Sequence, residues 1–171
     1  MALVFLAAAW AVLAWPWLSG AVTIPWDAKA QFLPQLQFLA ASFAKGESPF
    51  WAPYVFSGHP QIADPQSLIF SPPFVLLAWL NPAPSDWAAD ATLFAMVLIS
   101  AAALFLWLTD KGWHAAAALL SAIAFAFGAA MAWRIQHVGQ VMSLAYLPIT
   151  LVLLDRALSR QSVLYGLAAG A

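Results

Sequence analysis

Residues 91–109 are ATLFAMVLISAAALFLWLT, an uninterrupted apolar run that lies between Asp90 and Asp110. An α-helix over this run would be roughly 28 Å long, which is close to the thickness of the hydrocarbon core of a bilayer. The run therefore predicts a membrane-spanning helix. The composition of the whole chain supports this interpretation, because 64% of the residues are hydrophobic and 8% are charged. Soluble domains carry about 25% charged residues.

Charged residues divide the rest of the chain into further apolar runs. Besides the span at 91–109, the sequence predicts spans at about 2–20, 113–133 and 138–154, and the start of a fifth from residue 161. The fifth run stops before it could cross a bilayer, so the 171 residues are interpreted as the N-terminal fragment of a longer protein. A cleaved signal peptide is the alternative for the first run. Its lack of a basic n-region and its length favour a retained span.

The segment 21–90 has a different character, because it holds most of the prolines and seven of the thirteen charged residues. Within it, residues 28–44 place apolar side chains at helical spacing, which predicts a helix lying on the membrane surface. The apolar run 72–80 is too short to cross and predicts a second interfacial or re-entrant helix. The predicted fold is therefore an all-α, polytopic transmembrane helical bundle in a single domain, 1–171, with 21–90 as a large outer loop carrying interfacial helices.

Basic residues in the short turns predict the orientation. If segment 21–90 lies outside, Lys111, Arg156 and Arg160 lie in cytoplasmic turns and Arg134 in an outer one. Cytoplasmic loops carry an excess of Lys and Arg, so this distribution favours an outer position for segment 21–90.

Several functional classes are excluded by composition and motifs. The formal net charge of -1 provides no basic surface for nucleic acid, and the absence of cysteine excludes disulfides, thiolate metal sites and cysteine nucleophiles. The chain has no Walker loop, dinucleotide-binding glycine motif, HExxH or Gly-x-Ser-x-Gly motif. Membrane lipids are the partners that composition predicts.

Asp27 is the candidate catalytic residue, since it follows the first predicted span after only a few residues. A carboxylate near a lipid interface is costly unless it is paired or bound. One interpretation makes Asp27 the N-cap of the surface helix, where it would accept hydrogen bonds from backbone N–H groups. The other makes it a general base or a metal ligand at a membrane-facing active site.

Four further polar residues are candidates for binding the substrate or a lipid phosphate: Arg134, His137, His59 and Asp64. Arg134 and His137 share one short outer turn, and the planar guanidinium of arginine suits phosphate recognition. The alternative is an arginine that extends to lipid headgroups. Asp64 precedes a proline, which is typical of a turn, and it could also bring a second carboxylate to the cleft. His59 is most simply a loop histidine.

One compound pattern resembles a known family. It combines Asp27, the helix with QFLPQLQFL at 31–39, SPFWAPYVFSGHPQIADPQS at 48–67 and SPP at 71–73. Their order and spacing resemble the first outer loop of YfhO-like bacterial membrane proteins, within the GT-C group of polytopic glycosyltransferases.

The resemblance implies an enzyme that takes a sugar from a polyprenyl-phosphate-linked donor on the non-cytoplasmic face, with inversion. It implies that Asp27 deprotonates or positions the acceptor. Members often use a divalent metal ion, for which Asp27 would be the one candidate ligand, because residues 134–140 contain no second acidic residue. The cofactor therefore stays unassigned.

The leading functional prediction is thus a glycosyltransferase of the bacterial inner (cytoplasmic) membrane that modifies a cell-envelope acceptor at the periplasmic or extracellular face. The fragment by itself is expected to be inactive. A transporter or flippase for a lipid-linked or small polar substrate is the alternative. Transporters place polar residues near mid-span, whereas the second, third and fourth predicted spans are almost wholly apolar there. A non-catalytic assembly factor with a partner-binding loop is the third hypothesis.

Overall fold

The computed structural model describes residues 1–170. Within that range the regular secondary structure is helical, and no strand occurs. Nine helical elements and one short 3₁₀ turn follow one another in the described chain. In order they are α1 (Ala2–Leu18), a π-helical turn (Ala28–Phe32), α2 (Leu33–Lys45), a 3₁₀ turn (Gln61–Ala63), α3 (Pro72–Leu80), α4 (Asp86–Asp110), α5 (Ala115–Phe127), α6 (Ala129–Ala132), α7 (Val138–Arg160) and α8 (Val163–Gly170).

Three helical stretches are long and apolar enough to cross a membrane, judged by length and composition. They are α4, the combined α5 and α6 (Ala115–Ala132), and α7. Helix α1 is apolar but shorter, with 17 residues. Many large apolar side chains of the chain are exposed to the surroundings, as lipid contact would require. The all-helical fold class is confirmed, and the three long helices are consistent with a membrane protein.

The chain forms two compact units, which we describe separately. The helical unit consists of Met1–Trp15, Phe94–Arg134 and the chain from Gln140 onward. The loop unit consists of Pro16–Leu93 and Ile135–Gly139. The predicted outer loop thus corresponds closely to the larger part of the loop unit.

The helical unit buries small side chains at regular helical spacing. Ala118, Ala122 and Ala126, four residues apart on α5, are nearly inaccessible, as is Ala145 on α7. Small residues at this spacing let helix backbones approach closely, which replaces the hydrophobic driving force that lipid does not supply. The indole N–H of Trp10 on α1 also donates to the carbonyl oxygen of Phe94 on α4, at 2.8 Å.

Gly128 separates α5 from α6. Its backbone is extended, with φ -70° and ψ 170°, so any residue type could adopt its dihedral angles. Space is the restriction, because a Cβ atom added there would lie 2.1 Å from the carbonyl oxygen of Ala124. Glycine is therefore required at this break because there is no space for a Cβ atom, and not because of its backbone dihedral angles.

Two ion pairs join the C-terminal end of α4 with the C-terminal part of α7. Arg156 donates to Oδ2 of Asp110 through both Nε and Nη2, each at 2.8 Å. Lys111 donates to Oδ1 of Asp155 at 2.6 Å. All four side chains are partly exposed, so each pair contributes at most about 1 kcal/mol.

In the loop unit, the predicted surface helix consists of the π-helical turn and α2. Pro34 lies in the first turn of α2 and has no N–H to donate, so the preceding turn is wider, with Leu33 N–H donating to the oxygen of Ala28. Phe32 packs edge-on against Phe74 of α3, with ring centroids 4.7 Å apart. Helix α2 ends at Gly46, which adopts the left-handed conformation with φ 69°.

Asp90 is a buried carboxylate of the loop unit, with 6% of its surface exposed. Its Oδ2 accepts a hydrogen bond of 2.9 Å from the backbone N–H of Ile24, a residue that is 1% exposed. The bond ties the segment after α1 to the start of α4. In the sequence, Asp90 is recognisable only as the charge that bounds an apolar run, so this structural role was not predicted.

We expect Asp90→Ala to lower the free energy of unfolding by about 2 kcal/mol, because the buried N–H of Ile24 would lose its acceptor. Asp90→Asn is the matched control, since the amide keeps an oxygen that can accept this bond. Apparent melting temperatures of both variants in nanodiscs measure the difference. Equal destabilisation by the two substitutions would contradict the assigned hydrogen bond.

Candidate functional site

Asp27 and His137 form a hydrogen-bonded pair in the loop unit. Nδ1 of His137 lies 2.9 Å from Oδ2 of Asp27. Asp27 directly precedes the π-helical turn, and His137 directly precedes α7, so each side chain is held at the start of a helical element. The preceding Trp26 adopts a positive φ of 59°, which sets the direction of the chain into Asp27.

The pairing corrects one of the two interpretations of Asp27. The residue does stand at the N-cap position of the first helical turn, but its side chain makes no capping hydrogen bond. It binds the imidazole of His137 instead. The carboxylate is therefore committed to a partner distant in sequence, and the side chain keeps 52% of its surface exposed.

The hydrogen-bond partners of His137 determine how the pair can act. If Nδ1 carries the proton and donates to Asp27, Nε2 has a lone pair that faces Nε2 of Gln136 at 3.4 Å. A carboxylate held by an imidazole N–H in this way keeps a fixed orientation. The arrangement suits proton transfer to or from a hydroxyl group that approaches the exposed side of Asp27.

A small cavity lies beside the pair, with a volume of about 10 Å³. Its walls include Gln31, Gln66 and Gly139 in addition to the pair itself. The volume is about that of one water probe, so the cavity is too small for a substrate. A substrate must therefore reach Asp27 from the exposed side.

His59 and Asp64 form a second histidine–carboxylate pair in the same unit, with Nε2 of His59 3.5 Å from Oδ2 of Asp64. The turn interpretation of Asp64 is confirmed, because its Oδ1 accepts from the backbone N–H of Gln66 at 2.8 Å. Its Oδ2 also accepts a 2.8 Å hydrogen bond from Nε2 of Gln35 on α2. Gln35 was not singled out in the sequence, where a polar position on a surface helix carries no distinguishing signal.

A larger open cavity of about 620 Å³ lies beside this second pair. Ligand-binding pockets typically have volumes of about 300–1,000 Å³, so the cavity could hold a small molecule. It is lined on the polar side by His59 and Asp64 and elsewhere mainly by apolar and aromatic side chains.

Arg134 belongs to the helical unit. Its exposed guanidinium donates to Oε1 of Gln140, a neutral group. Among residues 1–170, no carboxylate forms an ion pair with it. Sequence analysis placed Arg134 and His137 together as phosphate ligands. The partners that the structure gives them are Gln140 for Arg134 and Asp27 for His137.

Among residues 1–170, Asp27 belongs to no group of side chains that would form a complete metal site by themselves. No group of three or more histidine, aspartate or glutamate side chains that could hold a metal occurs within residues 1–170. Asp27 and His137 supply two ligands at most, and they are bonded to each other. We therefore derive no catalytic step that involves a metal.

Comparison of the chain with protein-family models gave no match, and comparisons with curated proteins and with solved structures gave no significant match.

Proposed function

We propose that this protein is a membrane glycosyltransferase that transfers a sugar from a polyprenyl-phosphate-linked donor to a cell-envelope acceptor. The observation that carries the proposal is the Asp27–His137 pair, an exposed carboxylate held by an imidazole 2.9 Å away. Asp27 follows α1, the first apolar helix, after a short segment. A base at this position would therefore lie close to the lipid headgroups. The resemblance of segment 27–73 to YfhO-like proteins is the second support.

The proposed chemistry is a single displacement. Asp27 accepts the proton of an acceptor hydroxyl, whose oxygen bonds to the anomeric carbon of the donor sugar as the bond from that carbon to the phosphate oxygen breaks. Polyprenyl phosphate leaves, and the configuration at the anomeric carbon inverts. His137 holds the carboxylate in the orientation that this proton transfer needs. General base catalysis of this kind contributes about 10²–10⁴-fold to the rate.

Arg134 is the proposed ligand of the donor phosphate. Its guanidinium charge has a neutral amide partner, so it is available to an anion. A fixed guanidinium beside a leaving phosphate stabilises the charge that develops as the bond breaks. In the proposed topology, the long apolar helices form a polytopic bundle in the bacterial inner membrane, and segment 21–90 with its interfacial helices faces the periplasmic or extracellular side.

The protein, expressed from its complete reading frame and reconstituted in proteoliposomes, tests this function directly. A polyprenyl-phosphate donor with a radiolabelled sugar is incubated with an envelope-lipid extract as acceptor. We expect label to appear in a new covalent product only when the protein is present. Movement of the labelled donor across the bilayer without a product would reject the transferase in favour of a transporter or flippase.

A further inference from the structure

The 620 Å³ cavity of the loop unit has two chemically distinct sides. Phe38, Tyr54 and Phe56 line it with aromatic rings, and Tyr54 and Phe56 are 81% and 90% exposed. His59 and Asp64 line it with polar groups. A pocket that joins an aromatic surface to a few hydrogen-bonding groups is suited to a ring that has one apolar face and several polar substituents.

The charges around the cavity indicate the character of the ligand. Among the described residues that line it, none is lysine or arginine, and the one acidic residue is Asp64. A carboxylate repels a phosphate, and no lysine or arginine lines the cavity to offset that repulsion. The polar side instead offers a carboxylate acceptor, which favours a neutral ligand with several hydroxyl donors.

The polar side is held in place by several hydrogen bonds. Asp64 accepts from the backbone of Gln66 and from Gln35, each at 2.8 Å. The backbone of His59 exchanges two hydrogen bonds of 2.8 Å with Ala52, and these close the loop that carries the aromatic residues. Fixed polar groups bind a ligand with little loss of side-chain freedom.

The cavity shares one lining residue with the small cavity beside the Asp27–His137 pair. Gln31 lines both this cavity and the small one beside the pair. Its Nε2 lies 3.4 Å from Oε1 of Gln66, whose backbone binds Asp64. The side chain of Gln31 is therefore a wall that the two cavities have in common.

From these observations we propose that the large cavity binds the saccharide part of the acceptor, as a neutral hydroxylated ring. This inference rests on the proposed function for the identity of the substrate. It also changes the role of His59 and Asp64: they recognise acceptor hydroxyl groups rather than a lipid phosphate. The bound ring lies against the aromatic side chains and donates hydroxyl hydrogen bonds to the carboxylate of Asp64.

Saturation-transfer-difference NMR on the protein in nanodiscs, prepared without glycoside detergents, tests the proposal. The probes are the methyl pyranosides of glucose, galactose, mannose and N-acetylglucosamine, together with glucose 1-phosphate and farnesyl phosphate. We expect at least one methyl pyranoside to bind. Asp64→Asn should weaken that binding about tenfold, as expected for loss of a hydrogen bond to a charged group, and Tyr54→Ala should weaken it several-fold.

The controls are Glu47→Gln and Trp79→Ala, an exposed acid and an exposed aromatic residue of the same unit that do not line the cavity. Both should leave binding unchanged, and melting temperatures establish that each variant is folded. Because Tyr54 is largely exposed, Tyr54→Ala keeps the test decisive even if Asp64→Asn unfolds.

Binding of no methyl pyranoside, or equal binding by wild type, Asp64→Asn and Tyr54→Ala, would overturn the proposal. Tighter binding of glucose 1-phosphate or farnesyl phosphate would overturn it in favour of the donor. The assay requires no turnover, so it separates the two hypotheses. Saccharide binding without transferase activity rejects the proposed function, and transferase activity without saccharide binding in this cavity rejects only the present inference.

Discussion

Replacing Asp27 with Asn should reduce sugar transfer by about 10²–10⁴-fold while the protein remains folded. The amide has nearly the same shape as the carboxylate, and its oxygen can still accept from Nδ1 of His137, so the local geometry should survive. It cannot take up the proton of an acceptor hydroxyl at neutral pH. Initial rates of product formation in proteoliposomes measure the loss.

Glu47→Gln is the matched control for Asp27→Asn, because it removes an exposed carboxylate from the loop unit away from the pair. Its transfer rate should equal that of the wild type. His137→Gln should lower the rate less than Asp27→Asn, since the carboxylate remains but loses the group that orients it. A normal rate in Asp27→Asn would remove Asp27 from the mechanism.

Gly128→Ala should destabilise the helical unit by about 3 kcal/mol. The added Cβ would stand 2.1 Å from the carbonyl oxygen of Ala124, and backbone atoms cannot rotate away as the end of a side chain can. The expected result is a large drop in apparent melting temperature and in the yield of monodisperse protein.

Gly166→Ala is the control for Gly128→Ala, and it lies in the same unit on α8. Its added Cβ would meet the Cβ of Ala157 at 3.9 Å, an ordinary contact. Alanine also favours the helix over glycine by about 0.5–1 kcal/mol, so this variant should be as stable as the wild type or more so. Similar losses in both variants would show that the break at Gly128 does not require glycine.

Charge-free runs predicted the helices of this protein because lipid selects apolar side chains over a fixed length. The run 91–109 lies inside α4, and the surface segment 28–44 corresponds to the π-helical turn and α2. The wider turn before Pro34 was not predicted. Its geometry depends on how the chain reroutes a hydrogen bond that proline cannot make.

The candidate site was predictable only residue by residue. Asp27, His59, Asp64 and His137 could be chosen because charges and histidines are scarce in this sequence. Their pairing could not, since two predicted spans separate Asp27 from His137 in the sequence. The burial of Asp90 could not be predicted from the sequence either. A carboxylate at the edge of an apolar run is normally a boundary, and the N–H that it accepts from belongs to a distant segment.

The crossed ion pairs at the ends of α4 and α7 have a consequence for how these two helices align. Asp110 is matched with Arg156, and the next residue, Lys111, with Asp155. A slip of one position in one direction would set Asp110 against Asp155, and a slip in the other direction would set Lys111 against Arg156. Either slip would create a contact between like charges and lose both ion pairs. Packing of small side chains also contributes to the alignment of apolar helices in lipid. These four side chains, each pair weak by itself, therefore select a single offset between the helix ends by penalising the adjacent ones.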